Sequence, residues 1–431
     1  MVSLVELARR GYGEGNLVEA ERLCALALNA RPRDPGMLHL LGLIRFQQHR
    51  LEEAGFLIAA VLGAMPTNAA ALNDLGAVLQ AQGRFEEAAE HHRRVLELQP
   101  DCATAAFNLG NALHALKRYP EATDAYRTAL RSRPDYAEAH NNLGNTLQSL
   151  GQLGEAEESF RRALAFRPDM AEAHNNLGKL LQGLGHHAEA AESYRRALAL
   201  DAASVEAHSN LGNALLELGL AEEAIACFAS AIGIKPNFAP AHYNLANTLF
   251  AAGRLEDAIE SYGQALEIDP EYFDARLNLG NALIGLNRIE EALVCYRAVG
   301  SATGSAEARF GESLALLASG SLREGWEAYE SRLLIPEITP VKDRHACRPA
   351  WRGEGALSGK RILLHSEQGF GDAIQFVRYA PLVAARGATV FLEVRPELKS
   401  LLAGMQGIAA VFSIGEKLPA FDLQCPLMSL P

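Results

Sequence analysis

Residues 104–134 read TAAFNLGNALHALKRYPEATDAYRTALRSRP. Apolar residues recur there at helical spacing in two blocks split by a short polar turn, which predicts two antiparallel helices. The pattern returns along the chain with a period of 34 residues. Proline marks it at Pro32, Pro66, Pro100, Pro134, Pro168, Pro236 and Pro270, skipping only Ala202. Leucine holds one column without exception from Leu7 to Leu279, alanine another from Ala20 to Ala292, and a small residue follows each leucine. Four residues after the alanine column stand Tyr126, Phe160, Tyr194, Phe228, Tyr262 and Tyr296. Small residues let the two helices of a unit approach closely, and proline stops the second. Neither helix of one unit can bury its apolar face alone, so the units are expected to stack into a superhelix with a concave and a convex side.

Leucine, small residue, alanine, aromatic and proline at this period resemble the tetratricopeptide repeat at every column. The resemblance covers nine units over residues 1–306 and implies a mainly α fold, a right-handed α-solenoid. Residues 307–336 keep the two-helix rhythm with a shifted phase, and Gly325 followed by Trp326 replaces the alanine column. They read as a degenerate tenth pair that closes the last apolar face against the next domain.

Composition narrows the function. Hydrophobic residues make up 49% of 431, enough for substantial cores. A formal charge of -12 argues against nucleic acid, which demands clustered Lys and Arg. The first turns carry Glu6, Arg9 and Arg10, unlike a signal peptide, and no charge-free apolar run of membrane-spanning length occurs, so a cytoplasmic protein is expected. Six scattered cysteines without a CxxC pair fit reduced thiols, with Cys24, Cys227 and Cys295 expected in the core.

Four polar columns need a reading. One residue before the leucine column runs Asn108, Asn142, Asn176, Asn210, Asn244 and Asn278; three residues later runs Asn111, Asn145, Asn213, Asn247 and Asn281, with Lys179 as the exception. Positions three apart share a helix face, so stacking would join these pairs into a polar ladder. Asparagine is a mediocre helix former, and local stability does not favour it at mid-helix. Either the amides bridge neighbouring units or cap turns, or each carboxamide grips the backbone of an extended peptide. The run resembles the asparagine ladder in the repeat domain of the O-linked N-acetylglucosamine transferase family, which implies a groove that holds acceptor polypeptides. A histidine column, His140, His174, His208 and His242, cannot share a metal, because stacked units hold equivalent side chains about 8–10 Å apart and zinc ligands lie about 2 Å from one ion. Packing or interface contacts are expected of it, and no metal. The acidic column from Glu19 to Glu291 falls in the first turn of each second helix, where the helix dipole favours negative charge.

After Pro336 the helical period stops, and residues 337–358 are a Pro-, Gly- and charge-rich linker. KRILLH, ATVFLEV and AAVFSI then alternate with an amphipathic helix through Arg386 and a shorter one near PELKSLLAG, the pattern of a β-α-β-α-β half of a parallel domain over 359–431. Gly369, Phe370, Gly371 and Asp372 form the turn between the first strand and its helix, whose amides would favour an anion. A dinucleotide fingerprint fails at Ile374, where its third glycine belongs. Taken by residue type, Asp372 is also an ordinary helix N-cap.

The run from PAWRGEG through HSEQGFGDAIQF to PELKSLL, with FDLQCPLMSLP, resembles the start of the catalytic region in bacterial tetratricopeptide-repeat glycosyltransferases, which are related to heptosyltransferase-like enzymes. That resemblance implies an incomplete Rossmann-like segment, half of a two-domain glycosyltransferase. It makes Asp372 the candidate general base for the acceptor hydroxyl, with Gly369 and Gly371 keeping the loop near the sugar. Gln368 and Gln375 would be hydrogen-bonding neighbours, and His365 a further acid–base candidate. No cofactor is implied; a nucleotide sugar would be the co-substrate of a longer version. Such enzymes need two domains of about 100–150 residues each, so this chain alone is expected to transfer little or no sugar. The leading expectation is therefore a peptide-binding scaffold that is the acceptor-recognising part of a glycosyltransferase-like protein. An active UDP-sugar-dependent protein O-glycosyltransferase and a general assembly scaffold are the alternatives.

Overall fold

A computed structural model describes residues 4–336, 338, 345, 347–367 and 369–430. The chain divides into two compact units, Met1–Ile234 and Lys235–Pro431.

The first unit is a series of helix pairs in the expected rhythm, for example Ala103–Ala115 with Tyr119–Ser132 and Ala171–Gly183 with His187–Leu200. Ala88, Ala122, Ala156 and Ala190 of the alanine column are wholly buried. The buried rings of Tyr126, Phe160, Tyr194 and Phe228 press on the glycine of the facing helix. A Cβ added at Gly178 would stand 2.6 Å from Cε1 of Tyr194, so glycine is kept at mid-helix despite its poor propensity. Gly178→Val is expected to lower stability by about 2 kcal/mol, since overpacking a tight contact typically costs about 1–3 kcal/mol. Urea unfolding checks this, and a variant as stable as the parent would remove the contact as the reason for the column.

A further column escapes the apolar pattern. Between the helices of each pair one residue takes positive φ, such as Gly83, Gly151, Gly185 and Gly219, whereas His49 and Lys117 adopt the same left-handed geometry with a side chain. The proline column, in turn, is a marker more than a stop. Helix His187–Leu200 ends at the same place with Asp201 as its C-cap, although Ala202 stands where the other units have proline.

The histidine and acidic columns are structural. His140 and His174 donate from Nε2 to the carbonyls of Pro134 and Pro168 at 2.9 and 3.0 Å, and His208 to that of Ala202 at 3.2 Å. Each ring ties the start of one helix to the chain that has just left the preceding one. Arg84 and Arg118 fork onto Glu87 and Glu121 three residues on, and Arg127 reaches Glu155 of the next repeat. These exposed pairs complement the helix N-termini.

In the second unit the helix pairs continue with Ala239–Ala251 and Leu255–Ile268, then Phe273–Gly285 and Ile289–Thr303. Helices Ala306–Ser319 and Leu322–Tyr329 follow, with a 3-10 turn at Glu330–Leu334. The sheet has four parallel strands, β1 Arg361–His365, β2 Thr389–Val394, β3 Ile408–Ser413 and β4 Leu423–Pro426, in the order β3-β2-β1-β4. The first three are the expected ones. The fourth was hidden in the sequence because LQCP is short and ends in proline. The single helix expected after β1 is broken into Phe370–Phe376, a 3-10 turn Val377–Tyr379 and Ala380–Ala385. Ile362, Leu364, Val390, Leu392 and Phe376 form the small core, and Phe310, Leu317, Trp326 and Tyr329 of the preceding helix pair pack onto it. The indole of Trp326 meets the ring of Phe376 edge-on at 5.5 Å.

Cys24, Cys295 and Cys425 are buried and free, but Cys227, expected in the core, is only half-buried. Among the described residues no helix is long and apolar enough to cross a membrane, and no group of three or more His, Cys, Asp or Glu could hold a metal ion.

Candidate functional site

The asparagine columns lie on the first helix of each pair, half-buried except for the exposed Asn281, and several of the amides bridge neighbouring repeats. In the first unit Asn108 donates to Asn73 at 3.3 Å, Asn176 to Asn141 at 3.0 Å and Asn210 to Asn175 at 3.2 Å. Asn142 donates instead to Asn111 at 2.9 Å. In the second unit Asn278 donates to Asn247 of the preceding repeat at 3.0 Å, while Asn281 donates within its own helix to Asn278 at 3.4 Å. Asn145, Asn213 and Asn244 occupy the same columns and are likewise half-buried. Lys179, which breaks the second column, pairs with Glu206. Asn73, Asn141 and Asn175 were not singled out from the sequence, yet Asn141 is wholly buried and takes the amide of the next repeat. Their only signal is a polar residue at a buried helix position.

A second layer lies beneath. Tyr126 donates to Asn111 at 2.7 Å, Tyr262 to Asn247 at 2.6 Å and Tyr296 to Asn281 at 2.8 Å, each across its own helix pair. Opposite Lys179 the hydroxyl of Tyr194 finds Gln182 at 2.9 Å. Burial pushes all four hydroxyls well above the usual tyrosine range, so they stay protonated donors.

The loop after β1 has a different character. His365 ends β1 in register with Glu393 of β2 and Pro426 of β4. The chain leaves β1 towards β2 and β3 on one side, while β4 flanks it on the other. Open parallel sheets hold ligands at such a reversal of strand order, outside the carboxyl ends of the strands. His365 donates from Nε2 to Oε1 of Gln424 at 2.8 Å, and its ring lies 5.0 Å from that of His345. His345 in turn meets the buried Glu393 at 2.7 Å. Gly369 is the N-cap of helix Phe370–Phe376, so Asp372 sits in the first turn, half-buried, and the N-cap reading of Asp372 is not what the structure shows. Gly369 and Gly371 are exposed, and a Cβ at Gly371 would meet nothing within 4 Å; no protein contact demands glycine there. Gln375 is exposed, and Gln368 lies outside the described residues.

Sequence reasoning missed what holds this loop. Arg332, wholly buried, reaches Glu367 at 2.9 Å, Glu330 at 2.7 Å and the hydroxyl of Ser429 at 2.7 Å. Burial pushes the Glu367 carboxyl up, against the pull of Arg332. Burial also raises the Tyr329 hydroxyl, opposed by Arg332 and reinforced by Asp372 and Glu367. The candidate base thus lies within the field of this cluster. Neither Arg332 nor Glu367 belongs to a repeat column, and nothing in the chain announces their pairing.

Stacked helix pairs, most with a buried ring pressed on a glycine of the facing helix, define a helical-repeat scaffold. The repeats themselves are tetratricopeptide repeats: residues 67–135, 135–203, 175–237 and 246–287 match models of that repeat. The protein FlbA of Caulobacter vibrioides is 37% identical over 102 residues, 23% of this chain and 17% of its own length, so the chain matches about a sixth of that relative. Among solved structures, YrrB, described as a TPR protein with an unusual peptide-binding site, is 27% identical with a TM-score of 0.39, covering 43% of this chain and 96% of its own. PilW, a type IV pilus biogenesis factor, is 27% identical with a TM-score of 0.44, covering 48% and 96%.

Proposed function

We propose that the tetratricopeptide repeats hold an extended peptide or protein segment in their groove, as the acceptor-recognising part of a glycosyltransferase-like protein. The observation that carries the reading is the ladder. Amides recur on one helix face at 34-residue intervals, where local stability disfavours asparagine, and neighbours hold several of them, Asn142 and Asn278 among these. Amides preset in this way bind backbone without a side-chain preference and lose little freedom in doing so. The loop adds the second element. The position of Asp372 beside exposed glycines at the carboxyl end of the sheet supports reading it as the base that takes the proton of an acceptor hydroxyl in a longer version supplied with a nucleotide sugar. His365 is held by Gln424 and serves better as a positioning group than as a base.

The test replaces Asn142, Asn176, Asn210 and Asn244 together by Ala. A dodecamer peptide selected on the parent protein from a random display library is the probe, read by fluorescence anisotropy. Affinity is expected to fall at least about ten-fold, since four neutral hydrogen bonds of about 0.5–1.5 kcal/mol each are removed. The same change costs bridging bonds, so helix content and the urea midpoint are recorded alongside. Undiminished affinity in a folded variant would sink the reading.

A further inference from the structure

We propose that Asp74 sets the register of the bound segment, as a carboxylate in the groove of the first unit that takes the side chain of a lysine or arginine. The inference rests on the peptide-binding reading and names one feature of its ligand.

The first unit repeats one contact along its ladder. The residue two positions before the column leucine of one repeat meets the residue one position before the leucine of the next, 35 residues on. Asn73 with Asn108, Asn141 with Asn176 and Asn175 with Asn210 are three such contacts. His39 and Asp74 make the same contact at the same spacing, Nε2 donating to Oδ2 at 2.8 Å. Where the other three join neutral amides, this one holds a carboxylate. The shared geometry puts Asp74 on the helix face that carries the ladder, half-buried.

A carboxylate withdrawn from water is costly unless it is paired. Among the described residues of the first unit, Glu19, Glu21, Glu138 and Glu157 are half-buried, and each pairs with an arginine. Asp34, also half-buried, caps a helix by accepting the amide of Met37. Asp74 differs from all five. Among the described residues its partner is the imidazole of His39, no lysine or arginine pairs with it, and Oδ1 accepts no hydrogen bond. A neutral imidazole donates one bond and leaves the negative charge in place. Two further titratable groups feel this carboxylate, and neither supplies a cation at neutral pH. Burial, and then Asp74 itself, raises the Tyr12 hydroxyl, while burial pushes the His92 imidazole down to about 4. Lys179, the cation of the ladder, is committed to Glu206. The charge of Asp74 is thus left for a group outside the chain, and an ammonium or guanidinium complements it with a charge-assisted hydrogen bond. The amides hold backbone of any sequence; Asp74 demands a basic residue at one position.

The probe is a fluorescein-labelled dodecamer selected on the parent protein from a random display library, acetylated at its amino terminus and read by anisotropy. It is expected to carry Lys or Arg. Replacing that residue by norleucine, or Asp74→Asn in the protein, should each weaken binding about ten-fold, or about 1.4 kcal/mol. Both changes together should cost no more than either alone, because they remove the same contact. Asp74→Asn should keep its fold, since asparagine stands at this column in the repeats that follow. Glu90→Gln, at an exposed acid on the second helix of the same repeat, should leave affinity unchanged. An equal loss from Glu90→Gln would mean general attraction to an acidic protein and would overturn the inference. Undiminished binding of the norleucine peptide, or of the parent peptide to folded Asp74→Asn, overturns it too and leaves the peptide-binding reading standing. A peptide free of Lys and Arg that binds only with its amino terminus unblocked, and loses that binding in Asp74→Asn, overturns the side-chain assignment in favour of the chain terminus. If no dodecamer binds, both readings fall.

Discussion

Replacing His92 by Phe is expected to stabilise the first unit by about 2 kcal/mol at neutral pH and by more in mild acid. His92 occupies the aromatic column of the third repeat, wholly buried against Gly76. Neither ring nitrogen has a hydrogen-bond partner among the described residues. An unsatisfied buried polar group costs about 1–3 kcal/mol, and phenylalanine removes it while filling the slot that Phe160 and Phe228 fill against Gly144 and Gly212. Burial first, and then the neighbouring His91, push the His92 imidazole down to about 4, with Asp74 opposing. The unfolded chain holds this ring near 6.5, so between pH 6.5 and 4 it binds more protons than the folded one, and stability falls as pH falls. By pH 5 the loss from His92 alone is about 2 kcal/mol. The variant lacks that loss. His91, His114 and His140 are also depressed by burial and slope the same way, so the acid dependence shrinks and does not vanish. Urea midpoints at pH 7.5 and 5.0 for both proteins check it. Equal midpoints at pH 7.5 together with an equal drop at pH 5.0 would contradict it.

Arg332→Met is expected to cost the sheet-bearing part about 3–5 kcal/mol, the range for stripping one partner from a buried ion pair. Glu367 would keep its burial and lose its counter-charge. Its carboxyl, already raised by burial, would rise further, so the variant should be most stable in mild acid and lose stability as pH climbs through the raised value. Adding Glu367→Gln to the variant should recover most of the loss at neutral pH, because no charge then lies buried. Tryptophan fluorescence is a clean reporter: both tryptophans, Trp326 and Trp351, lie beside this core, so the signal follows this region and not the first unit. A single variant that melts with the parent would show that the pair carries no stability.

The two units differ in how openly the chain announces them. In the repeats, each column answers a demand that recurs every 34 residues: glycine because a ring presses on it, alanine because two helices touch there, histidine because a carbonyl needs a donor. Repetition multiplies a weak signal, and so the helix pairs and most columns were legible. Around the loop each feature occurs once. The strand β4 has four residues, the helix after β1 is interrupted, and Asp372 proves to be a first-turn residue behind a glycine N-cap. The site residues were legible as types and positions, but their partners were not.

Sequence alone dictates the period, the two helices of each unit, their close approach at the small residues and the parallel strands that follow, because spacing and side-chain size act locally. The tertiary structure decides which way each amide points and what it has left to offer. Asn111 becomes a donor through Tyr126, fifteen residues on, and Asn142 of the next repeat. It also decides that Arg332 closes on Glu367 and Ser429 and so fixes the loop that carries Asp372. Hydrogen-bond direction and buried charge pairing depend on what folding brings within about 3 Å, and no spacing along the chain encodes that distance.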